Sequence, residues 1–405
     1  MSEFEQRAPL PIWYGRPLWQ RIACEWLARI ECGEVRVEFP CGAGHLVKGD
    51  RPGPAAAIVF KNARPVWRML TSGGLGFARS YLDGDWETPD LGRLMDLALA
   101  NQEPLKPALA SRPLFSRLAY LRHLFRRNSR AGSRRNIAFH YDLGNGFYGA
   151  WLDETMTYSA AIFERQGQSL GEAQRAKYDR ILNELRIGPE DHVLEIGCGW
   201  GGFMEYAASR TGCRITGLTL SKEQAGFAET RLAGKGLSPL AEVRLQDYRD
   251  CKGRFTKIVS IEMFEAAGEE NWPVYFEQLR ANLAPGGQAL VQVITIDETR
   301  FERYRQNADF IQTYVFPGGM LPSAAVFRQT AVASGLLVRD AFSFGRDYEK
   351  TLLMWEGAFL DNWHKIESAA FDGRFKRLWR YYLNYCAAGF RNGTIDVYQF
   401  RLELK

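Results

Sequence analysis

One stretch of the chain leaves few options for its fold: Val193-Leu194-Glu195-Ile196-Gly197-Cys198-Gly199-Trp200-Gly201-Gly202. The apolar run 193–196 reads as a buried strand, and Phe203, Tyr206 and Ala207 beyond the glycines have the spacing of a helix face. Strand, glycine turn and helix together are how α/β folds present a nucleotide-sized ligand to a helix N-terminus. Glycine at alternate positions lets the backbone approach a ligand where any Cβ would collide. The spacing is Glu-x-Gly-x-Gly-x-Gly, with an acid two residues before the first glycine, and so differs from the dinucleotide Gly-x-Gly-x-x-Gly. The competing reading is a tight turn that holds no ligand.

Alternating elements follow. Residues 214–218 read as a second strand, 221–235 as a helix, and 241–245 and 257–261 as further strands. Residues 272–283 have a helical pattern, and Pro285-Gly286-Gly287 turns the chain into a strand at 288–296. Short loops between such elements predict βαβ units and a parallel sheet. The second strand ends in Gly217-Leu218-Thr219-Leu220-Ser221, where a nicotinamide enzyme places Asp or Glu for the ribose hydroxyls. This chain offers Thr219, with Gln224 one helical turn beyond Ser221, which argues against NAD.

Residues 1–103 read as a separate small α+β domain. Residues 34–39 alternate as a half-buried strand does, 55–60 read as a second strand, 77–86 as a helix ending in a turn, and 91–99 as a short helix. With 405 residues and 46% hydrophobic content the chain has room for two cores. No apolar run reaches the length of a membrane span. Met1-Ser2-Glu3-Phe4-Glu5 has no apolar leader, and seven scattered cysteines lack a C-x-x-C pair. Reduced thiols, no zinc site and a cytoplasmic setting are expected. His45 stands alone and reads as structural.

The net charge of +5 is unevenly spread. Between Pro104 and Arg135 there are nine Lys or Arg residues and no acid. Leu114, Leu118, Leu121 and Phe125 with arginines between them describe a basic amphipathic helix, a linker at 104–135 ahead of a catalytic domain at 136–405. Such a helix suits an anionic bilayer. A helix docked on a core and a nucleic-acid contact are the other readings. Residues 140–159 are dense in aromatics, Gly, Asn and Asp, which suits a lid over a ligand; a helix pair burying its aromatics is the alternative.

The glycine turn resembles motif I of the class I S-adenosylmethionine (SAM) methyltransferases. Together with Gly217-Leu218-Thr219-Leu220-Ser221-x-x-Gln224, Asp247-Tyr248-Arg249-Asp250, Val259-Ser260-Ile261-Glu262-Met263-Phe264-Glu265, His140-Tyr141-Asp142-x-Gly144-Asn145 and Tyr381-Tyr382-Leu383-Asn384-Tyr385-Cys386-Ala387, it resembles the cyclopropane-fatty-acyl-phospholipid synthase family. The likeness extends over nearly the whole chain. It implies an α/β, Rossmann-like methyltransferase with a seven-stranded, mostly parallel sheet beside the small N-terminal domain. It implies SAM as cofactor, unsaturated phospholipid acyl chains as acceptors, and neither metal nor nucleic acid. The expected place is the cytoplasmic face of the membrane, and the expected assembly a homo-oligomer, at its simplest a dimer.

On that resemblance SAM is held by Tyr158 and Ser159, by Gly197, Gly199 and Gly201, by Thr219, Leu220 and Gln224, and by Asp247 and Tyr248 near the adenine. Glu195 orders the turn and reaches the methionine amino group. Glu265 matches a carboxylate beside a bound bicarbonate, Tyr348 its tyrosine partner, and Ile294 a backbone contact there. Cys386 matches a cysteine proposed as a nucleophile, although alkene methylation needs no thiolate and a buried structural Cys is an equal reading.

The departures bear on the product. Ala160 stands for the family's cysteine beside the bicarbonate, Ala266 for the histidine after Glu265, and Gln292 for a histidine that helps bind the ion. Gln donates hydrogen bonds but does not take a proton at neutral pH. Methyl transfer is therefore expected to be intact and ring closure altered, with a cyclopropane or a methyl-branched, even furan-precursor, chain as product. A methyltransferase of a small soluble acceptor and an inactive lipid-binding relative remain as alternatives.

Overall fold

The computed structural model describes residues 17–109 and 143–405. The chain divides into two compact units, Met1–Phe115 and Ser116–Lys405. Most of the basic stretch, 110–135, and His140-Tyr141-Asp142 lie outside the described residues; 104–109 belong to the Gln102–Leu109 helix.

The first unit has a four-stranded sheet of β1 (Cys32–Glu38), β2 (Gly44–Lys48), β3 (Arg51–Phe60) and β4 (Trp86–Glu87), in the order β2-β1-β3-β4. β1 and β3 are parallel, and the two outer pairings are antiparallel. Val35 and Val37 of β1 are fully buried while Arg36 between them points out, the alternation expected of a half-buried strand. The helix expected at 77–86 is the end of a longer one, Arg64–Leu82, bent at Gly73, where φ of 57° breaks the helical path.

The second unit has seven strands: β5 (His192–Ile196), β6 (Arg214–Thr219), β7 (Ala241–Leu245), β8 (Phe255–Ile261), β9 (Leu283–Ile296), β10 (Leu336–Ser343) and β11 (Ile395–Leu404). Their order is β10-β11-β9-β8-β5-β6-β7. The pairs from β9 across to β7 are parallel, and only β11 runs antiparallel, between β9 and β10. The central strands read as continuous apolar runs because both faces are covered. Leu194, Ile258 and Val291 enter one core with Phe264, Phe276 and Phe400. Val193, Val259 and Leu290, one residue along, enter the opposite core with Tyr178, Phe203 and Met204.

One expected turn is absorbed into a strand. Pro285-Gly286-Gly287 lies inside β9 as a bulge: Phe255 pairs with Leu283, but Lys257, two residues on, pairs with Gln288. Gly286 takes φ of 71°, a conformation that side chains resist.

Candidate active site

The glycine turn stands at the C-terminal end of β5, where α/β sheets bind ligands. Gly197, Gly199 and Gly201 all have positive φ, at 85°, 54° and 77°. A Cβ at Gly197 would lie 2.9 Å from the Met263 side chain, so that position admits only glycine. At Gly199 a Cβ would meet nothing within 4 Å, and the residue lines an open cavity of about 1090 Å3.

That cavity gathers most of the expected cofactor residues. Tyr158, Ser159, Glu195, Gly197, Gly199, Thr219, Leu220, Gln224, Asp247 and Tyr248 all line it. Gly201 is the exception and does not line the cavity. It caps the Gly202–Thr211 helix, and a Cβ there would come within 3.0 Å of the Ala228 Cβ, so its constraint is helix packing.

The polar groups fit SAM. Glu195 is buried, its Oε2 has no protein partner, and burial pushes its pKa up to about 8 against the opposing charge of Lys177. An ammonium group is the partner such a carboxylate lacks. Thr219 donates its hydroxyl to Gln224 Oε1 at 2.9 Å, leaving the Gln224 amide N–H groups for a ligand oxygen. Asp247 is held by Arg249, whose Nε and Nη2 donate at 2.9 and 2.7 Å, so the carboxylate is fixed at the cavity wall beside the Tyr248 ring. The Tyr248 hydroxyl is buried without a protein partner.

Lys177 was not anticipated. Its side chain is fully buried on the Leu170–Leu185 helix and donates to Ser159 Oγ at 2.7 Å. Burial brings its pKa down to about 7, against the pull of Glu262, Asp153 and Glu195. With Oγ accepting from Lys177, the Ser159 hydroxyl hydrogen is free to donate elsewhere. A long cation on an otherwise apolar helix face (Ala173, Ala176, Ile181) was the available signal.

Three of the four expected catalytic residues, Glu265, Gln292 and Tyr348, gather around the start of the turn after β8 and the middle of β9. None of Glu265, Gln292, Tyr348 and Cys386 lines the cofactor cavity; Glu262 does. Glu262 Oε2 accepts the Tyr348 hydroxyl at 2.6 Å, and Oε1 accepts Gln292 Nε2 and the Ala160 N–H, both at 2.8 Å. Gln292 is itself held by Gln399, whose Nε2 donates to its Oε1 at 3.0 Å. Glu265 stands apart from this knot: its Oε1 accepts the Ile294 N–H at 2.6 Å, so the backbone donor expected to face an ion is already engaged. Glu265 Oε2 has no protein partner, and burial beside the Glu262 charge pushes its pKa to about 8. Burial and Asp309 raise the Cys386 thiol well above its ordinary value, which removes the thiolate a nucleophile needs.

The aromatic segment serves two purposes. Phe147, Tyr148 and Trp151 are buried against Trp200, Trp355 and Trp379, which is core packing and not a lid. Met156 to Ser159 line the cavity, and Tyr158 packs its ring on Trp355 at 5.2 Å and shares a 2.7 Å hydroxyl contact with Tyr382. Asn145 accepts a hydrogen bond from Trp200 Nε1 at 2.7 Å, fixing the indole of the glycine turn.

Residues 128–400 match the family described as mycolic acid cyclopropane synthetase. The chain belongs to that family. It is 40% identical over 345 residues to the tuberculostearic acid methyltransferase of Mycobacterium tuberculosis, covering 83% of this chain and 80% of that one. It is 36% identical over 388 residues to the cyclopropane-fatty-acyl-phospholipid synthase of Escherichia coli, covering 94% and 92%. The crystal structure of a mycolic acid cyclopropane synthase complexed with S-adenosylhomocysteine superposes with a TM-score of 0.61 at 34% identity, over 66% of this chain and 97% of that one. As a mycolic acid cyclopropane synthetase family member, the protein is a SAM-dependent methyltransferase of lipid acyl chains. No helix among the described residues is long and apolar enough to cross a membrane.

Proposed function

We propose that the protein transfers the SAM methyl group to a carbon–carbon double bond in a phospholipid acyl chain, and that the product is an acyclic, methyl-branched unsaturated chain. The observation that carries this reading is the cavity wall itself. The residues of a cradle for a charged cofactor line it, and so do Tyr158, which is backed by Trp355, and the Glu262 carboxylate.

The cofactor supplies an electrophilic methyl carbon on a sulfonium. An alkene is a weak nucleophile, so Glu195, the glycine turn, Thr219 and Gln224 must hold that carbon at near-attack distance. Positive charge then develops on the acyl chain, where the Tyr158 face and the Glu262 carboxylate stabilise it. The buried aromatics around Tyr158 keep out water that would capture the cation. At the positions that the resemblance gives to ring closure stand a methyl group, Ala160, and a neutral amide, Gln292. Neither takes a proton, so the set of groups that closes the ring in the family is altered here, and the acyclic product rests on that alteration. The methyltransferase name of the relative at 40% identity supports the same product class.

The test is expression in a bacterium lacking its own cyclopropane synthase, fed methionine with a deuterated methyl group. Labelled acyl groups with one added carbon as a methyl branch, which keep a double bond and hydrogenate to a branched saturated chain, are expected. A labelled product with the added carbon in a ring would overturn the product assignment. The absence of label in any unsaturated lipid supplied, with SAM bound, would overturn the function.

A further inference from the structure

Glu262 is the end of β8 plus one residue, yet three other parts of the second unit are built around it. Donors from the 160 segment, from β9 and from the Gly345–Asp361 helix converge on its carboxylate at 2.6 to 2.8 Å. Its own N–H is bonded to the Gln292 carbonyl at 2.8 Å. The residue also has φ of 51°, in the left-handed region where glycine would be cheaper. A carboxylate kept at a strained position, triply bonded and facing a cofactor cavity, has a use for its charge.

We infer that the Glu262 carboxylate is the general base of the reaction, seated where the resemblance places a bicarbonate ion, so that this protein works without bicarbonate. The inference rests on the proposed acyl-chain methylation. Tyr348, at the position of the ion's tyrosine partner, and Gln292, at that of its histidine, spend donors on Glu262, and so does the backbone of Ala160, at the position of the cysteine beside the ion. The Ile294 N–H is spent on Glu265. The anion that these groups surround is part of the chain.

Lone-pair accounting assigns the atom. Oε1 accepts two hydrogen bonds and is filled; Oε2 accepts one, from Tyr348, and has one position left. The methyl carbon bonds to one alkene carbon as its bond to sulfur breaks, leaving the other alkene carbon cationic. A neighbouring C–H bond then breaks, its electron pair forms the new C=C bond, and the proton passes to Glu262 Oε2. The sulfonium charge ends as that proton, released to solvent as products leave.

Two variants and one labelled anion test this. Glu262→Gln keeps the size of the side chain but cannot take a proton; Glu262→Gly suits the positive φ and opens the slot. The wild-type protein is expected to turn over equally in carbon-dioxide-depleted and bicarbonate-supplemented buffer. Glu262→Gln should lose ~100-fold or more in turnover with SAM affinity retained. Glu262→Gly should be as slow, and regain activity with added bicarbonate or formate. In the presence of S-adenosylhomocysteine, 13C-bicarbonate should bind to Glu262→Gly and not to the wild type, a readout that holds whatever the acceptor proves to be. Bicarbonate bound by the wild type, or full turnover by Glu262→Gln, would overturn the inference while leaving the acyl-chain function in place.

Discussion

Tyr348 donates its hydroxyl to Oε2 of Glu262 at 2.6 Å, tying the Gly345–Asp361 helix to the turn after β8. The phenol is 5% exposed and stacks on Phe390 at 4.4 Å, so it has little freedom to point elsewhere. The oxygen it bonds is the one with an open acceptor position, which makes Tyr348 the group that orients the base.

Replacing Tyr348 with Phe should therefore reduce turnover ~10- to 100-fold, the worth of one hydrogen bond to a charged group at about 1.5–3 kcal/mol. SAM affinity should stay near that of the wild type, since Tyr348 does not line the cofactor cavity. Single-turnover rates with calorimetric SAM binding separate the two quantities. A parallel loss of both would mean that the tyrosine holds up the cavity as a whole.

The same bond sets a pH dependence. Burial raises Glu262 above the ordinary carboxylate value, while Tyr348, Lys177, the Ala160 N–H and Gln292 oppose the rise. A base works deprotonated, so turnover should climb with pH along an acid limb lying above pH 4.5. The limb belongs to a coupled set, because Glu265 and Lys177 face the same carboxylate. Tyr348→Phe removes a donor that favours the charged form, and the limb should move to higher pH. A limb that stays in place would separate the tyrosine from the titrating group.

Glu195 makes a prediction that needs no substrate. Its folded pKa of about 8 means that it is mostly protonated at pH 7, and the folded protein holds a proton that the unfolded chain releases. Its burial thus favours folding least at alkaline pH: between the ordinary value of 4.5 and about 8, stability falls as pH rises. An ammonium group set against this carboxylate restores its charge, so SAM binding near pH 7 should release up to one proton from this site. Calorimetry in buffers of different ionisation enthalpy measures that release. Glu195→Gln should abolish it and weaken SAM binding ~10-fold or more.

What could be read beforehand was whatever rests on local pattern. The strands 193–196 and 241–245, the glycine turn and the Thr219–Gln224 pair follow from apolar runs, glycine spacing and one helical turn. The antiparallel strand β11 and the knot at Glu262 depend on contacts between residues 30 to 115 positions apart, for which no local spacing exists. Glu262 was in plain view, three residues before Glu265. A family match singles out Glu265 because it fixes which acid aligns, whereas only the folded chain shows that Glu262 lines the cavity. Lys177 was missed for a similar reason: a lysine reads as solvated until a buried hydroxyl and three acids are placed around it.

The basic stretch makes a last prediction from its charge alone. Arg126, Arg127, Arg134 and Arg135 stand in a run of 32 residues without an acid. Each Arg near an anionic surface contributes about 1 kcal/mol, so removing four attractions costs about 4 kcal/mol, roughly a thousandfold in affinity, before added repulsion. The variant with all four changed to Glu should lose affinity for vesicles containing anionic phospholipid, and the wild type should lose most of that affinity at high salt. SAM binding should be unaffected, because the described residues that line the cofactor cavity lie between Met156 and Ala267. Methylation of vesicle lipids should fall with binding while turnover on detergent-dispersed lipid persists, if the basic charge acts only in attraction to a surface. Unchanged vesicle affinity in the variant would assign surface binding to another part of the chain.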